Sequence, residues 1–226
     1  MKKLVTVIII GGGSTISRNS FKNCQEYNII GFSKHTSISK IKEYKTYKYS
    51  SANDIYKITS KINTKKIVLL LMESLSIPNL IINKNEAELK KEIFSNIINP
   101  HNIIKKILPL MLKNKWGRII FCGSSGALKT DTGISGYSLG KYANLAYCKV
   151  LSKEYAKFGI SSNYLSLGLF DTPMFKTKKT LIKKKLLEQT DTRSTGDFSS
   201  FFYAIDFIIK SNYVTGSVIP VDGGFN

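Results

Sequence analysis

Three side chains in the middle of the chain, Ser124, Tyr137 and Lys141, have types and spacing that suit proton transfer. Residues four apart share one face of a helix, so the Lys141 ammonium is expected one turn from the Tyr137 phenol. A nearby cation favours the phenolate and lowers the pKa of a tyrosine, which is ordinarily about 10. A serine hydroxyl at a neighbouring strand end and that phenol could both hydrogen-bond to the carbonyl oxygen of a substrate. This chemistry is suited to interconverting an alcohol and a ketone.

The sequence around Tyr137 matters because a second tyrosine–lysine pair with the same spacing, Tyr44 and Lys48, lies in a polar stretch. A strand-like run at 118–122 leads into the sequence GSSG, and a glycine-containing loop precedes Tyr137. A long helical pattern follows Tyr137, and a second strand-like run occupies 160–167. The alternative for Tyr137 is a purely structural tyrosine packed at a helix start.

Strands and helices alternate along the chain. Strand-like runs are expected at 4–10, 28–32, 46–49, 66–72, 118–122, 160–167 and 217–221. Helical patterns are expected at 16–23, 53–62, 86–113, 137–158, 173–188 and 198–209. Runs such as IVLLL show no polar alternation, which is typical of parallel strands covered on both faces. The order predicts an α/β fold with a doubly wound parallel sheet, in a single domain spanning 1–226.

The residues that carry this pattern resemble the short-chain dehydrogenase/reductase family, and the resemblance extends over almost the whole chain. The family's serine, tyrosine and lysine match Ser124, Tyr137 and Lys141, and its catalytic asparagine matches Asn96. The segment NYLSLGLFDTPM is similar to the family's segment after the sixth strand, and VTGSVIPVDGGF to its C-terminal signature. The resemblance implies a Rossmann fold and an NAD(P)-dependent ketone/alcohol oxidoreductase, with a substrate lid at about 173–197.

The resemblance also implies a role for each catalytic residue. Tyr137 is the expected general acid in reduction. Lys141 is expected to lower the pKa of the phenol and to bind the nicotinamide ribose. Ser124 is expected to donate a hydrogen bond to the carbonyl oxygen, and the adjacent Ser125 is the alternative for this role.

A physical argument supports Asn96 independently. Pro100 lies four residues later and has no N–H for the Asn96 carbonyl, so we expect a kinked helix with room for a bound water. In the resembling family a water at this position relays protons to the lysine. A proline kink without a catalytic role is the alternative.

The expected phosphate-binding turn departs from the family pattern. Gly11 matches the first glycine of Gly-x-x-x-Gly-x-Gly, but Thr15 and Ser17 replace the second and third. We still expect a pyrophosphate site at Gly11, Ser14, Thr15 and Ile16, because small hydroxyl residues can donate hydrogen bonds to phosphate.

The remaining cofactor contacts indicate which dinucleotide is bound. Ser33 and Lys34 end the second strand without the carboxylate that would bind a 2′-hydroxyl, so they favour NADP(H) over NAD(H). An ordinary surface lysine is the alternative for Lys34. Two family features are missing: residues 71–74 replace Asn-Asn-Ala-Gly, and Tyr49 replaces an acidic residue. The resemblance implies further cofactor contacts at Gly168, Phe170 and Thr172.

The formal net charge of +19 comes from lysine, with only three arginines among 34 basic residues, and resembles the coding bias of an AT-rich genome. The densest lysine cluster, at 176–185, has leucine and isoleucine at helical spacing. Three interpretations remain: a solvated amphipathic helix, attraction of an anionic substrate, or nucleic-acid binding, which the scarcity of arginine disfavours. The expected partner is a small carbonyl compound, such as a 3-oxoacyl thioester, a keto-sugar or a sugar nucleotide.

Compartment and metal content follow from other residues. The start MKKLVTVIII imitates a signal peptide, but its short apolar run ends in three glycines, so a buried first strand is expected. No apolar run approaches the roughly 20 residues that a membrane span needs. Cys24, Cys122 and Cys148 show no ligand spacing, which predicts no metal site and a reduced, cytoplasmic protein.

Two further hypotheses concern function and assembly. The altered glycine turn leaves open a non-catalytic member of the family that acts as a binding module, whereas the four matched catalytic positions favour an enzyme. The apolar side of the helix at 137–158 and the apolar C-terminal segment predict a homodimer or homotetramer.

Overall fold

The computed structural model describes residues 3–34 and 44–225. Within them, seven strands form one sheet: β1 (Val5–Ile10), β2 (Asn28–Ser33), β3 (Lys45–Lys48), β4 (Lys66–Leu71), β5 (Gly117–Cys122), β6 (Ile160–Leu167) and β7 (Val218–Val221). The strand order is β3-β2-β1-β4-β5-β6-β7, and every neighbouring pair is parallel. The predicted doubly wound parallel sheet is confirmed.

Helices cover both faces of the sheet. They are α1 (Thr15–Ser20), α2 (Ala52–Thr59), α3 (Glu86–Ile93), α4 (Asn99–Asn114), α5 (Ser125–Leu128), α6 (Ser135–Tyr155), α7 (Pro173–Lys176), α8 (Thr180–Glu188) and α9 (Phe198–Lys210). Buried apolar residues of α2, α4 and α6 pack on one face, and those of α9 pack on the other beside Phe21, which follows α1. The strand order reverses at β1 and β4, and a ligand is expected at the carboxyl ends of the strands there.

Three helical predictions differ from the structure. The pattern at 86–113 contains a π-helical turn, Phe94–Ile98, between α3 and α4. The pattern at 173–188 is two helices, because Lys179 has an extended backbone with ψ 145° and separates α7 from α8. Helix α5 was not predicted, since its four residues are too few to show a helical period.

The described part of the chain contains no helix that is both long and apolar enough to cross a membrane. Cys24, Cys122 and Cys148 are all buried free thiols.

Candidate active site

The two adjacent serines after β5 occupy different surroundings. Ser124 is partly exposed, and its hydroxyl accepts a hydrogen bond from the Ala127 N–H at 3.3 Å, capping α5. Ser125 is buried, and its hydroxyl lies 2.8 Å from the Ser166 hydroxyl and donates to the Asp222 carboxylate. Ser125 therefore joins β6 to the C-terminal segment, whereas Ser124 lies at the open end of the strand.

Tyr137 and Lys141 lie one turn apart on α6, as their spacing predicts. The Lys141 side chain is buried, and its ammonium donates to the Cys122 carbonyl at 2.7 Å. The same nitrogen lies 5.4 Å from the centre of the Tyr137 ring. Tyr137 is partly exposed. The last residue of β5 thus fixes the cation beside an accessible phenol.

Asn96 lies in the π-helical turn Phe94–Ile98 and is almost fully buried. Its side chain pairs with the backbone of Leu75: the amide nitrogen donates to the carbonyl at 2.8 Å, and the amide oxygen accepts from the N–H at 2.7 Å. A Cβ on Gly140 would lie 2.4 Å from the Asn96 Cβ, so α6 packs directly on this residue. Pro100 predicted a kink in the helix at this point. The structure has the π-helical turn there, which is wider than an α-helical turn.

A buried ion pair packs against α6, and it was not predicted from the sequence. The Lys84 ammonium lies 2.7 Å from the Glu92 carboxylate, and Glu92 has no exposed surface. Glu92 also accepts from the Ile77 N–H at 2.9 Å, and Lys84 donates to the Ile77 carbonyl at 2.6 Å. A Cβ on Gly136 would lie 2.1 Å from the Glu92 carboxylate. The pair therefore holds the loop after β4 against the residue before Tyr137.

A second phenol lies beneath the site. Tyr164 of β6 is fully buried, and a Cβ on Gly123 would lie 2.0 Å from its ring. Its hydroxyl makes no hydrogen bond of normal geometry, although the Ser124 backbone is close enough to favour the phenolate. Burial is the main cause that raises the pKa of Tyr164, and the neighbouring Tyr137 adds to it.

The glycine turn after β1 is held by hydrogen bonds from its backbone and from Ser17. Gly11 has a φ of +93°, and its N–H donates to the Phe32 carbonyl at 2.8 Å. Ser17 is fully buried, and its hydroxyl lies 3.0 Å from the Gly12 carbonyl and 3.2 Å from that of Gly11. Ser17, which replaces the third glycine of the family pattern, therefore stabilises the turn by bonding to its carbonyls.

Three of the residues expected at a phosphate are accessible. Ser14 is exposed and caps α1 by accepting from the Ser17 N–H at 3.2 Å, and Thr15 and Ile16 are partly exposed.

A cavity of about 700 Å³ lies beyond this turn, and its lining includes Lys34, Glu73, Lys90, Lys91 and Phe94. The Lys34 ammonium lies 3.3 Å from the Glu73 carboxylate and 6.0 Å from the centre of the Phe94 ring. Lys34 is thus part of a packed cavity wall, against the ordinary-surface-lysine alternative. Ser33 ends β2 beside it, and its carbonyl accepts from the Tyr49 N–H at 3.2 Å. The apolar walls and the lysines of this cavity fit an adenosine that carries an anionic group. The Glu73 carboxylate would repel that anionic group.

The residues expected at the nicotinamide end lie after β6. Thr172 caps α7, and its hydroxyl accepts from the Phe175 N–H at 3.4 Å. Gly168 lies against Asp222, where a Cβ would approach the Asp222 Cα to 2.5 Å. The Phe170 ring is buried and stacks on Phe198, so only its backbone is left for a cofactor contact.

The segment predicted to be a substrate lid, at about 173–197, contains α7 and α8. Helix α8 contains no fully buried residue, and the lysines of this segment are mostly exposed: Lys176, Lys178, Lys179, Lys183, Lys184 and Lys185. Beyond α8, the N–H groups of Asp191 and Thr192 each donate at 3.1 Å to the carbonyls of Gly224 and Gly223. The C-terminal segment therefore anchors the chain beyond α8.

The chain is similar to known proteins in both sequence and fold. A family profile described as enoyl-(acyl carrier protein) reductase matches residues 72–226. A 3-oxoacyl-[acyl-carrier-protein] reductase of Bos taurus is 31% identical over 147 residues, which cover 65% of this chain and 60% of that protein. The corresponding reductase of Buchnera aphidicola (subsp. Acyrthosiphon pisum) is 28% identical over 173 residues, covering 76% and 69%. The matched stretch thus spans only part of each relative.

Among solved structures, a 3-oxoacyl (acyl-carrier-protein) reductase of Agrobacterium tumefaciens C58 with NADP bound superposes with a TM-score of 0.87 at 16% identity. The superposition covers 97% of this chain and 93% of that one. A second chain from Agrobacterium tumefaciens, described as a putative gluconate dehydrogenase, gives a TM-score of 0.86 at 17% identity, with coverage of 97% and 95%. At these identities the structural likeness establishes the fold.

Proposed function

The chain belongs to the short-chain dehydrogenase/reductase family, and on that premise we propose that it is an NADP(H)-dependent oxidoreductase that interconverts a ketone and a secondary alcohol. The observation that carries the proposal is the fixed pair of Tyr137 and Lys141 beside the partly exposed Ser124. A purely structural tyrosine would not need a buried ammonium tied to the end of β5.

Each residue has a task in reduction of the carbonyl. Ser124 and Tyr137 donate hydrogen bonds to the carbonyl oxygen and stabilise the negative charge that develops on it. Tyr137 then gives its proton to that oxygen. Lys141 favours the phenolate that remains, because an opposite charge nearby stabilises the ionised form. Asn96 holds the loop at Leu75 and the wide turn of its helix in place beside α6.

The cofactor, when bound, supplies hydride to the carbonyl carbon. The residues proposed to hold its phosphates and adenosine are Gly11, Ser14, Thr15, Ile16, Ser33 and Lys34. Those proposed at its nicotinamide end are Tyr137, Lys141, Gly168, Phe170 and Thr172. The cavity beyond the glycine turn supports the first group, since it combines apolar walls with lysines.

For the substrate, a 3-oxoacyl thioester is favoured over a keto-sugar, because curated relatives carry the name 3-oxoacyl-[acyl-carrier-protein] reductase. The exposed lysines of α7 and α8 would attract an anionic substrate of this kind.

The test combines binding with turnover. Purified protein is titrated with NADPH and with NADH while nucleotide fluorescence is followed, and acetoacetyl-coenzyme A is then added while NADPH absorbance is recorded. We expect saturable NADPH binding and NADPH oxidation that depends on the thioester. Absence of binding to either nucleotide at millimolar concentration would reject the proposal in favour of a non-catalytic binding module.

A further inference from the structure

Three side chains, Lys34, Tyr49 and Glu73, form a cluster at the carboxyl ends of β2, β3 and β4. The Lys34 ammonium lies 3.3 Å from the Glu73 carboxylate, and the side chains are only 22% and 16% exposed. The Tyr49 hydroxyl donates to the same carboxylate and accepts from the Asn99 side chain at 3.0 Å. Glu73 therefore accepts from a cation and a phenol at once.

This cluster lies directly beside the glycine turn. The Glu73 N–H donates to the Ile10 carbonyl at 3.0 Å, and a Cβ on Gly11 would lie 3.0 Å from the Glu73 nitrogen. Lys34 and Glu73 also line the 700 Å³ cavity. A dinucleotide whose phosphates lie at the turn would place its adenosine at this group of strand ends.

The charges in the cavity are already partly compensated. Burial raises the pKa of Tyr49, and the neighbouring Glu73 charge raises it further, so Tyr49 stays neutral and acts as a donor. Lys90, which also lines the cavity, lies 2.7 Å from the Glu86 carboxylate. An adenosine 2′-phosphate must then draw Lys34 away from Glu73 and approach a carboxylate of like charge. A 2′-hydroxyl can instead donate to that carboxylate.

We propose that Glu73 is a specificity-determining residue, whose carboxylate competes with an adenosine 2′-phosphate for Lys34 and so weakens the binding of NADP(H) relative to NAD(H). This inference rests on the proposed function, because it concerns the same cofactor site. It also assigns a role to residues 71–74, which replace the family's Asn-Asn-Ala-Gly. Glu73 of this segment acts on Lys34, which follows β2.

The test uses adenosine fragments, so that neither turnover nor the nicotinamide end affects the result. Calorimetric titration compares 2′,5′-ADP with ADP on the wild-type protein and on Glu73→Gln. The variant should bind 2′,5′-ADP about two- to fivefold more tightly, the effect of releasing a partly exposed ion pair, and ADP no more tightly than before. In a Lys34→Met background the gain should be smaller, because only the direct repulsion between the Glu73 carboxylate and the 2′-phosphate is then relieved.

The chain offers a matched control. Tyr27 donates to Asp206, and Lys210 lies 2.7 Å from the same carboxylate, so a tyrosine and a lysine also share one carboxylate away from the cavity. Asp206→Asn should leave both affinities unchanged. Glu73→Ala is the second variant if Glu73→Gln does not fold, as judged by circular dichroism.

The outcomes separate this inference from the proposed function. If the wild type binds 2′,5′-ADP and removal of the Glu73 carboxylate leaves that affinity unchanged, or shifts both nucleotides equally, only the role of Glu73 is rejected. If the wild type binds neither nucleotide, the cofactor site itself is rejected, and the role of Glu73 with it.

Discussion

The Lys141 ammonium lies 5.4 Å from the centre of the Tyr137 ring while it donates to the Cys122 carbonyl at 2.7 Å. A buried ammonium is costly unless it is hydrogen-bonded, and the end of β5 supplies the acceptor. One carbonyl therefore sets the position of the cation, and α6 sets the phenol beside it.

The first prediction concerns the proton donor. Tyr137→Phe should lower turnover by about 10²- to 10⁴-fold, because the phenol hydroxyl supplies the proton while the ring supplies the packing. NADPH affinity and thermal stability should change little. Tyr142→Phe, on the same helix, is the matched control and should keep its activity. A Tyr137→Phe variant that retained a tenth of the wild-type rate would remove this residue from the mechanism.

The second prediction separates the two tasks of Lys141. Lys141→Met should lose turnover and also bind NADPH more weakly, because one ammonium is proposed to serve both the phenol and the nicotinamide ribose. Titration of NADPH fluorescence measures the affinity, and initial rates measure turnover. Unchanged NADPH affinity would argue against the ribose contact. The effect of Lys141 on Tyr137 is tested separately, by the initial rates.

The third prediction concerns the packing beneath Ser124. Gly123→Ala should lower the free energy of unfolding by about 1–3 kcal/mol, because the new Cβ would lie 2.0 Å from the Tyr164 ring and overpack the core. Tyr164→Val makes room for that methyl group. The double variant should therefore lose less stability than the sum of the single variants, as measured by urea denaturation. Additive losses would contradict the direct contact.

The fourth prediction is a loss of stability at alkaline pH. Burial raises the pKa of Cys122 from 9.0 to about 12 and that of Cys148 from 9.0 to about 11. The folded protein keeps these protons where the unfolded chain releases them, so their contribution to stability falls as pH rises above 9. Denaturation curves between about pH 7 and pH 11 measure how the free energy of unfolding changes with pH. Cys122→Ala removes one of the two thiols and should make this loss of stability smaller. An unchanged pH dependence in that variant would contradict the contribution of Cys122.

The fifth prediction concerns assembly. Leu139, Tyr142 and Val150 are exposed apolar residues on α6, and their spacing places them on one side of the helix. We predict a homodimer or homotetramer through this side, since such a stripe favours a symmetric contact. Light scattering should give at least twice the 25.3 kDa monomer mass.

A pair of variants tests whether α6 forms that interface. Val150→Asp should shift the mass toward the monomer, whereas Lys57→Asp, at an exposed position of α2, should not. A wild-type protein that scatters as a monomer at micromolar concentration would refute the predicted assembly.

Local patterns in the sequence were enough to predict the fold and the proximity of Tyr137 and Lys141. Unbroken apolar runs predicted the buried strands, because a strand covered on both faces has no solvated side to keep polar. The spacing of Tyr137 and Lys141 predicted their proximity, because four residues complete about one helical turn. Neither prediction requires knowledge of what lies across the sheet.

Contacts between distant parts of the chain were decided only by the tertiary structure. Ser125 looks equivalent to Ser124 until β6 and the C-terminal segment bury it against Ser166. Glu92 lies in a stretch rich in charged residues and has no exposed surface, because Lys84 and α6 cover it.

The same limit applies to the cofactor end of the sheet. Lys34 appeared free for a 2′-phosphate because its partner, Glu73, is 39 residues away in sequence and 3.3 Å away in space. The charge available to a ligand depends on which side chains are neighbours at the ends of adjacent strands. The order of strands in the sheet decides which side chains are neighbours, and that order is a property of the whole fold.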